Sequence, residues 1–222
     1  LVPAVLLALL VGLGGGLISG LLISKRNIPP FIATLGMMAI ARGLTYIYTH
    51  GGPIQNTYKP YEFLGRGMIG PVPFIVIMWV IITAIMWVVL RRTTFGRTTL
   101  AIGSNPVAVY LSGINVSWHL WVIYALSGLL CAIGGILLSS RLTIGTPLMG
   151  ESMELDAIAA VVIGGASLSG GRGNVWGTII GVLILGMISN MLNLVGVSMF
   201  YQDAVRGAII VLAVLFKAAQ DK

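Results

Sequence analysis

Six apolar runs, most of them long enough to cross a lipid bilayer as a helix, follow one another along the chain at residues 1–24, 31–49, 72–90, 119–140, 176–195 and 203–216. A helix needs about 20 mostly apolar residues to cross a hydrocarbon core about 30 Å thick. Backbone polar groups in that core must be satisfied within the chain, which makes helices the default. A further apolar stretch, residues 155–168, is too short to cross comfortably as an untilted helix. The expected fold class is therefore all-α: a polytopic integral membrane helical bundle with six clear spans plus one short or broken segment. The whole of residues 1–222 is read as a single transmembrane domain.

Composition removes the competing classes. The chain is 57% hydrophobic and 9% charged, with a mean hydropathy of +1.00. A soluble domain carries about 25% charged residues, and the same figures exclude disorder. The net charge is +7, but the basic residues sit in short joints between apolar runs and form no basic face, so nucleic acid is not expected as a partner. One cysteine, Cys131, excludes a disulfide framework and a multi-cysteine metal site. Lying inside an apolar run, it is expected to pack there. The chain opens at Leu1 inside an apolar run, with no initiator methionine and no basic leader. That reads as a fragment preceded by further sequence rather than as a signal peptide.

Basic residues orient the spans, because cytoplasmic joints carry the excess of Lys and Arg. With the joint after Leu90 placed inside, Lys25, Arg26, Arg91, Arg92, Arg97, Arg172, Lys217 and Lys222 fall inside, and Lys59, Arg66 and Arg141 outside. Arg172 falls inside only if residues 155–168 cross or dip to the inner side. Glu62, Glu151, Glu154 and Asp156 fall outside or near that boundary.

Small residues recur at four-residue spacing: Ala8, Gly12, Gly16 and Gly20 in the first span, and Ser127, Cys131, Gly135 and Ser139 in the fourth. Gly177 and Gly181 open a third such row. Rows of this kind let helix backbones approach closely, either within the bundle or at a seam between two copies. Polar residues inside the spans are the candidate functional groups. Arg42 sits in mid-span on a face with Thr34, Met38 and Thr45. An intramembrane charge costs roughly 2.5–3.5 kcal/mol on insertion scales and faces the bundle interior or water. Arg42 either lines a polar pathway or pairs with a carboxylate such as Glu154 or Asp156. Ser189, Asn190 and Asn193 cluster on the span at residues 176–195, as packing contacts or as pathway lining. Asp203 stands where it would cap the last span, beside Arg206.

Glu154 and Asp156 are close enough for acid–base chemistry or a metal site, and a different class of function, an intramembrane enzyme, would use them. Neither His50 nor His119 lies near them in sequence. Gly164, Gly165, Gly170, Gly171 and Gly173 look loosely like a phosphate cradle, but no G-x-x-x-x-G-K-[ST] occurs. A tight hinge between two membrane segments suits them better.

The joint at residues 91–118, RRTTFGRTTLAIGSNPVAVYLSGINVSW, is basic and too long for a simple turn. Asn105 followed by Pro106 matches a cap with proline at the first helical position. Residues 107–111 then form a short helix stopped at Gly113, held on the inner side as a docking element.

Four stretches carry a family resemblance: FIATLGMMAIARGLTYIYTHGGPI at 31–54, GRTTLAIGSNPVAVYLSGINV at 96–116, ELDAIAAVVIGGASLSGGRGNVWGT at 154–178 and YQDAVRGAIIVLAV at 201–214. Together they resemble the permease subunit of bacterial ribose-type sugar ABC importers, over the C-terminal two thirds of that family's chain. The resemblance implies a multi-pass protein of the bacterial cytoplasmic (inner) membrane, surrounded by lipid, that moves a monosaccharide such as ribose. It implies three partners: a cytoplasmic ABC ATPase, an extracytoplasmic sugar-binding protein, and a second permease copy or related subunit. It implies no catalytic residues, no metal and no cofactor in this chain, ATP being bound by the partner. The branched-chain amino-acid permeases of the same superfamily are the nearest alternative. The family's coupling segment, Gly-x-Asn-x-x-Ala…Ser-Gly-Ile, maps onto Gly103, Asn105, Ala108, Ser112, Gly113 and Ile114. One departure is Tyr110, where relatives often carry a basic residue.

Overall fold

The computed structural model describes residues 1–26 and 28–198 together with 201, 202, 204, 205, 207 and 208. Among the described residues the elements run α1 (Val2–Arg26), α2 (Pro30–Thr49), β1 (Ile54–Gln55), α3 (Lys59–Arg66), β2 (Met68–Ile69), β3 (Val72–Pro73), α4 (Phe74–Arg92), α5 (Thr94–Ser104), α6 (Pro106–Leu111), α7 (Val116–Leu142), β4 (Ile144–Gly145), α8 (Met153–Ile163) and α9 (Val175–Leu194). Five of these helices, α1, α2, α4, α7 and α9, are long and apolar enough to cross a membrane. Each coincides with one of the runs read from sequence. Of the sixth run, residues 203–216, only 204, 205, 207 and 208 are described, so the expected span lies largely outside the described residues, as do Asp203, Arg206, Lys217 and Lys222. The short stretch becomes α8, 11 residues long. At 1.5 Å per residue that is about 16 Å, half a bilayer core.

The chain divides into two compact units: Leu1–Ile85 with Tyr110–Met149, and Met86–Val109 with the described part of Gly150–Lys222.

In the first unit α1 and α7 lie antiparallel. Gly12 meets Gly128 and Ala132, Gly16 meets Tyr124, Ala125 and Gly128, and Gly20 meets Trp121. A Cβ on Gly16 would run into the Tyr124 carbonyl and stand 3.1 Å from the Gly128 Cα. The absence of side chains is what lets the backbones touch. Two polar ties fix the register: Trp121 Nε1 donates to the Leu17 carbonyl at 3.0 Å, and Ser117 Oγ to the Ser24 carbonyl at 3.1 Å.

The glycine row of α1 thus packs as its spacing suggested, but the row on α7 does not answer it. Cys131 is exposed rather than packed, and Gly135 has no neighbour within 4 Å of a built Cβ. Ser139 bonds the Tyr61 hydroxyl of α3 instead. The α7 residues that meet α1 are Trp121, Tyr124, Ala125, Gly128 and Ala132, and Gly128 and Ala132 each stand one position, about 100° around the helix, from Ser127 and Cys131 of the row.

The segment after α2, read from sequence only as an outer loop, forms α3 and two short hairpin-like pairings. β1 pairs antiparallel with β4, Ile54 opposite Gly145, and β2 with β3, Met68 opposite Pro73. α3 seats on the C-terminal end of α7. Arg66 Nε donates to the Arg141 carbonyl at 2.7 Å, and Tyr61 hydroxyl reaches the Ile136 carbonyl at 3.2 Å. Gly65 lets the backbone of Ser140 and Arg141 come in against it. Lys59, Arg66 and Arg141 therefore stand at one end of the α1–α7 pair, and Lys25 and Arg26 at the other, the separation that the charge pattern requires.

In the second unit α8 and α9 are antiparallel, with Gly164 against Gly177 and Ala160 against Gly181. Ala159, Ala160 and Leu185 form the buried core of the pair, with Ile163 packed on it. At the corner between α4 and α5, Thr93 serves both helices. Its hydroxyl donates to the Val89 carbonyl at 2.5 Å and accepts from Gly96 N at 3.2 Å. Gly96 is buried, and a Cβ there would strike the Leu90 backbone, so the reversal needs glycine.

Candidate functional site

Residues 91–118 contain two helices in place of one. α5 was not apparent from sequence because Gly96 reads as a breaker. The available signal was the Thr93 cap and the spacing of Phe95, Thr99 and Ile102 on one face, Ile102 being buried. Asn105 ends α5 and starts α6: its backbone N–H donates to the Ala101 carbonyl at 2.9 Å, and its Oδ1 accepts from Ala108 N at 3.0 Å. Pro106 opens α6, where its missing N–H costs nothing. Gly113, at φ +82°, closes the segment, its N–H donating to the Tyr110 carbonyl at 3.0 Å. Asn115 then caps α7 in the same way as Asn105 caps α6, accepting from Trp118 N at 3.0 Å.

α6 is thus held at both ends by local hydrogen bonds, yet it shows apolar side chains to its surroundings. Val107 is 64% exposed, Tyr110 68% and Leu111 79%, while Val109 is buried. Ala108, Ser112, Gly113 and Ile114 are also exposed. α6 is therefore a short, capped helix with an exposed apolar surface.

The second unit adds a contact that sequence reading did not contain. The loop between α8 and α9 lies against the end of α5, with Gly170 and Gly171 touching Gly103 and Ser104. Arg172 of this loop therefore stands near the C-terminal end of α5 within the second unit. No signal in the sequence links Gly103 to Gly170 and Gly171, because each is read locally as a turn former.

The seven interior polar candidates fall at three places. Thr34, Arg42 and Thr45 are on α2. The two threonine hydroxyls donate to their own helix, to the Pro30 carbonyl at 2.9 Å and the Ala41 carbonyl at 2.8 Å, and are exposed. They need no interior partner. Arg42 is half-buried, and within its own unit no described residue hydrogen-bonds or ion-pairs with it. Glu154 and Asp156 stand half-buried in the first turn of α8, where the helix dipole favours negative charge. Among the described residues no group of three potential metal ligands occurs. Asn190 and Asn193 lie at the end of α9. The antiparallel register of α8 and α9 brings them to the same end of that pair as Glu154. Asn193 Oδ1 accepts from Gln202 Nε2 at 2.9 Å. Gln202, only 5% exposed, also donates to the Val197 carbonyl at 2.9 Å. Asn193 therefore has a local structural partner. Asn190 is exposed.

A sequence profile of the family described as "Branched-chain amino acid transport system / permease component" matches residues 1–214. The chain is similar to the ribose import permease protein RbsC of Bacillus subtilis (strain 168), 53% identical over 199 residues, 89% of this chain and 62% of that protein. It is 43% identical over 216 residues to the ribose import permease protein RbsC of Escherichia coli (strain K12), 96% of this chain and 67% of that one. It is 39% identical over 217 residues to the galactose/methyl galactoside import permease protein MglC of the same strain, 95% of this chain and 65% of that one. The chain thus spans about two thirds of the length of the curated relatives it matches. No solved structure matches it.

Proposed function

Because the chain belongs to the family of branched-chain amino acid transport system permease components, we propose that it is the transmembrane subunit of an ATP-binding-cassette importer that moves a monosaccharide such as ribose across the bacterial cytoplasmic membrane. Residues 1–222 act as one permease domain within the full-length subunit. A separate cytoplasmic ATPase binds ATP and docks on residues 91–118, an extracytoplasmic binding protein delivers the sugar, and a second permease copy or related subunit completes the pathway. The chain needs no cofactor of its own.

The observation that carries this reading is α6: capped at Asn105, stopped at Gly113, and exposing Val107, Tyr110 and Leu111. The sugar is supported by the printed substrates of the relatives, ribose and galactose or methyl galactoside. The transport class is supported by their being import permeases. Closure of the ATPase pair on ATP displaces α6, and the bundle exchanges one open side for the other. An effector shifts such a two-state equilibrium only through its different affinity for the two states, so the docked helix has to be presented differently in each.

The family's description names branched-chain amino acids, which keeps an apolar amino acid as the second reading. Uptake by the full-length permease, reconstituted in proteoliposomes with its ATPase and binding protein, separates the two. ATP-dependent uptake of labelled ribose, with no uptake of leucine, is expected. Leucine uptake without sugar uptake would assign the second reading.

A further inference from the structure

The segment that carries α6 is joined to the α8–α9 pair backbone to backbone. Gly103, in the last turn of α5, lies so close to the α8–α9 loop that a Cβ on it would strike the Gly171 N and stand 3.2 Å from the Gly171 Cα. A Cβ on Gly170 would be 2.6 Å from the Gly103 carbonyl oxygen and 3.0 Å from its Cα. One on Gly171 would run into the Ser104 hydroxyl and stand 3.1 Å from the Ser104 Cα. Gly170 and Gly171 also sit at φ +90° and +78°, a region that a side chain disfavours. Both space and backbone conformation therefore demand glycine there, while at Gly103 space alone does.

The loop is shaped in advance to receive this contact. Ser167 N donates to the Arg172 carbonyl at 3.0 Å and Gly170 N to the Ser167 carbonyl at 3.1 Å, closing a tight ring. Asn174 Oδ1 then caps α9, accepting from Trp176 N at 3.3 Å. Just beyond, Gly177 of α9 lies on Gly164 at the end of α8, again with no side chain between. From α6 through the Asn105 cap, Gly103, Gly170 and Gly171, and on to Gly177 and Gly164, the path is almost entirely main chain. Side chains can absorb a displacement by changing rotamer, but close-packed backbones pass it on.

We propose that the contact of Gly103 with Gly170 and Gly171 is the joint through which movement of α6 reaches the α8–α9 pair, making these three glycines positioning residues for coupling. The proposal rests on the importer reading above and adds a route within the subunit. It predicts that α6 and the 167–172 ring move as one body.

The test uses the full-length permease with its ATPase and binding protein in proteoliposomes, in a Cys131→Ser background. Spin labels at Val107→Cys and Leu168→Cys, both at exposed positions, report the distance between α6 and the loop with and without a non-hydrolysable ATP analogue. One unchanged distance is expected. A change of more than about 3 Å overturns the joint, since it exceeds what packed elements absorb by small sliding. In parallel, Gly103→Val is expected to assemble with the ATPase but to move about fivefold less ribose per ATP hydrolysed. Gly173→Ala, where the nearest atom to a built Cβ is Leu100 Cδ2 at 4.0 Å, should match the parent. A Gly103→Val protein with the parent's ratio overturns the proposal. If that variant fails to fold, the spin-label distance in the unaltered joint decides. Failure of the parent itself to capture the ATPase would overturn the importer reading instead.

Discussion

Ser140 donates its hydroxyl to the Tyr61 carbonyl at 2.5 Å from a position with no solvent exposure, tying the end of α7 to α3. The Ser140 side chain fills a space closed by Gly65, whose backbone presses on Ser140 and Arg141. Ser140→Val would remove this hydrogen bond between the two helices. A lost hydrogen bond costs about 0.5–1.5 kcal/mol. The variant is expected to lose thermal stability in detergent and to become protease-sensitive within residues 59–66. Unchanged melting and cleavage would show that α3 is held by other contacts.

The α1–α7 interface gives a prediction with an internal control. Gly16→Leu forces a side chain into the Tyr124 and Gly128 backbone, whereas Gly14→Ala points a methyl group into space with nothing within 4 Å. Overpacking of this kind costs about 1–3 kcal/mol. Gly16→Leu should lower the unfolding midpoint clearly and Gly14→Ala should not. Equal effects would mean that helix propensity, not the interface, sets the response.

The charge pattern predicts a sidedness that labelling can test. In a Cys131→Ser background, an impermeant thiol reagent applied to intact cells should label Lys59→Cys and leave Val107→Cys and Leu168→Cys unreacted. Both of the latter should react after the membrane is opened. Labelling of position 168 but not 107 from outside would place the α8–α9 loop on the wrong side and sink the map.

α6 is expected to bind the ATPase through its exposed apolar surface. Ala108→Glu puts a charge on that surface and should weaken capture of the ATPase about tenfold, the equivalent of about 1.4 kcal/mol. Gly113→Pro removes the N–H that bonds the Tyr110 carbonyl and forbids φ +82°. It should spare the membrane helices by circular dichroism yet lower sugar-stimulated ATP hydrolysis. If both variants assemble and couple like the parent, the segment is a connector only.

Arg42 tests whether α2 lines a polar route. Arg42→Lys should retain transport and Arg42→Leu should lose it, with equal insertion of both. An active Arg42→Leu would reduce the residue to a structural charge.

Much of the fold was legible because lipid imposes one simple rule. The runs that became α1, α2, α4, α7 and α9 are bounded by charge or proline within a few residues of the observed ends, as at Arg26, Pro30 and Arg92. α6 was legible too, since Asn105, Pro106 and Gly113 each have one local job. Contacts between distant positions were not. Gly103 and Gly171 look like turn residues in isolation, and only the fold shows that each makes room for the other. α3 escaped notice because it is only eight residues long and carries Pro60 and Gly65, which read locally as loop formers. The Ser127 row misled because equal spacing does not mean a shared partner.

The glycine face of α1 has a consequence for how the protein is made. Its partner, α7, begins about 90 residues after α1 ends, and synthesis proceeds at about 5–20 residues per second. α1 therefore waits in the bilayer for on the order of ten seconds with its glycines bare, while α2 and α4 emerge beside it. The face that makes the mature interface close is, during that interval, equally open to any other small-residue surface in the membrane. Ribosome pausing between α1 and α7 would lengthen the exposure, which ends when Trp121 arrives to close on Leu17.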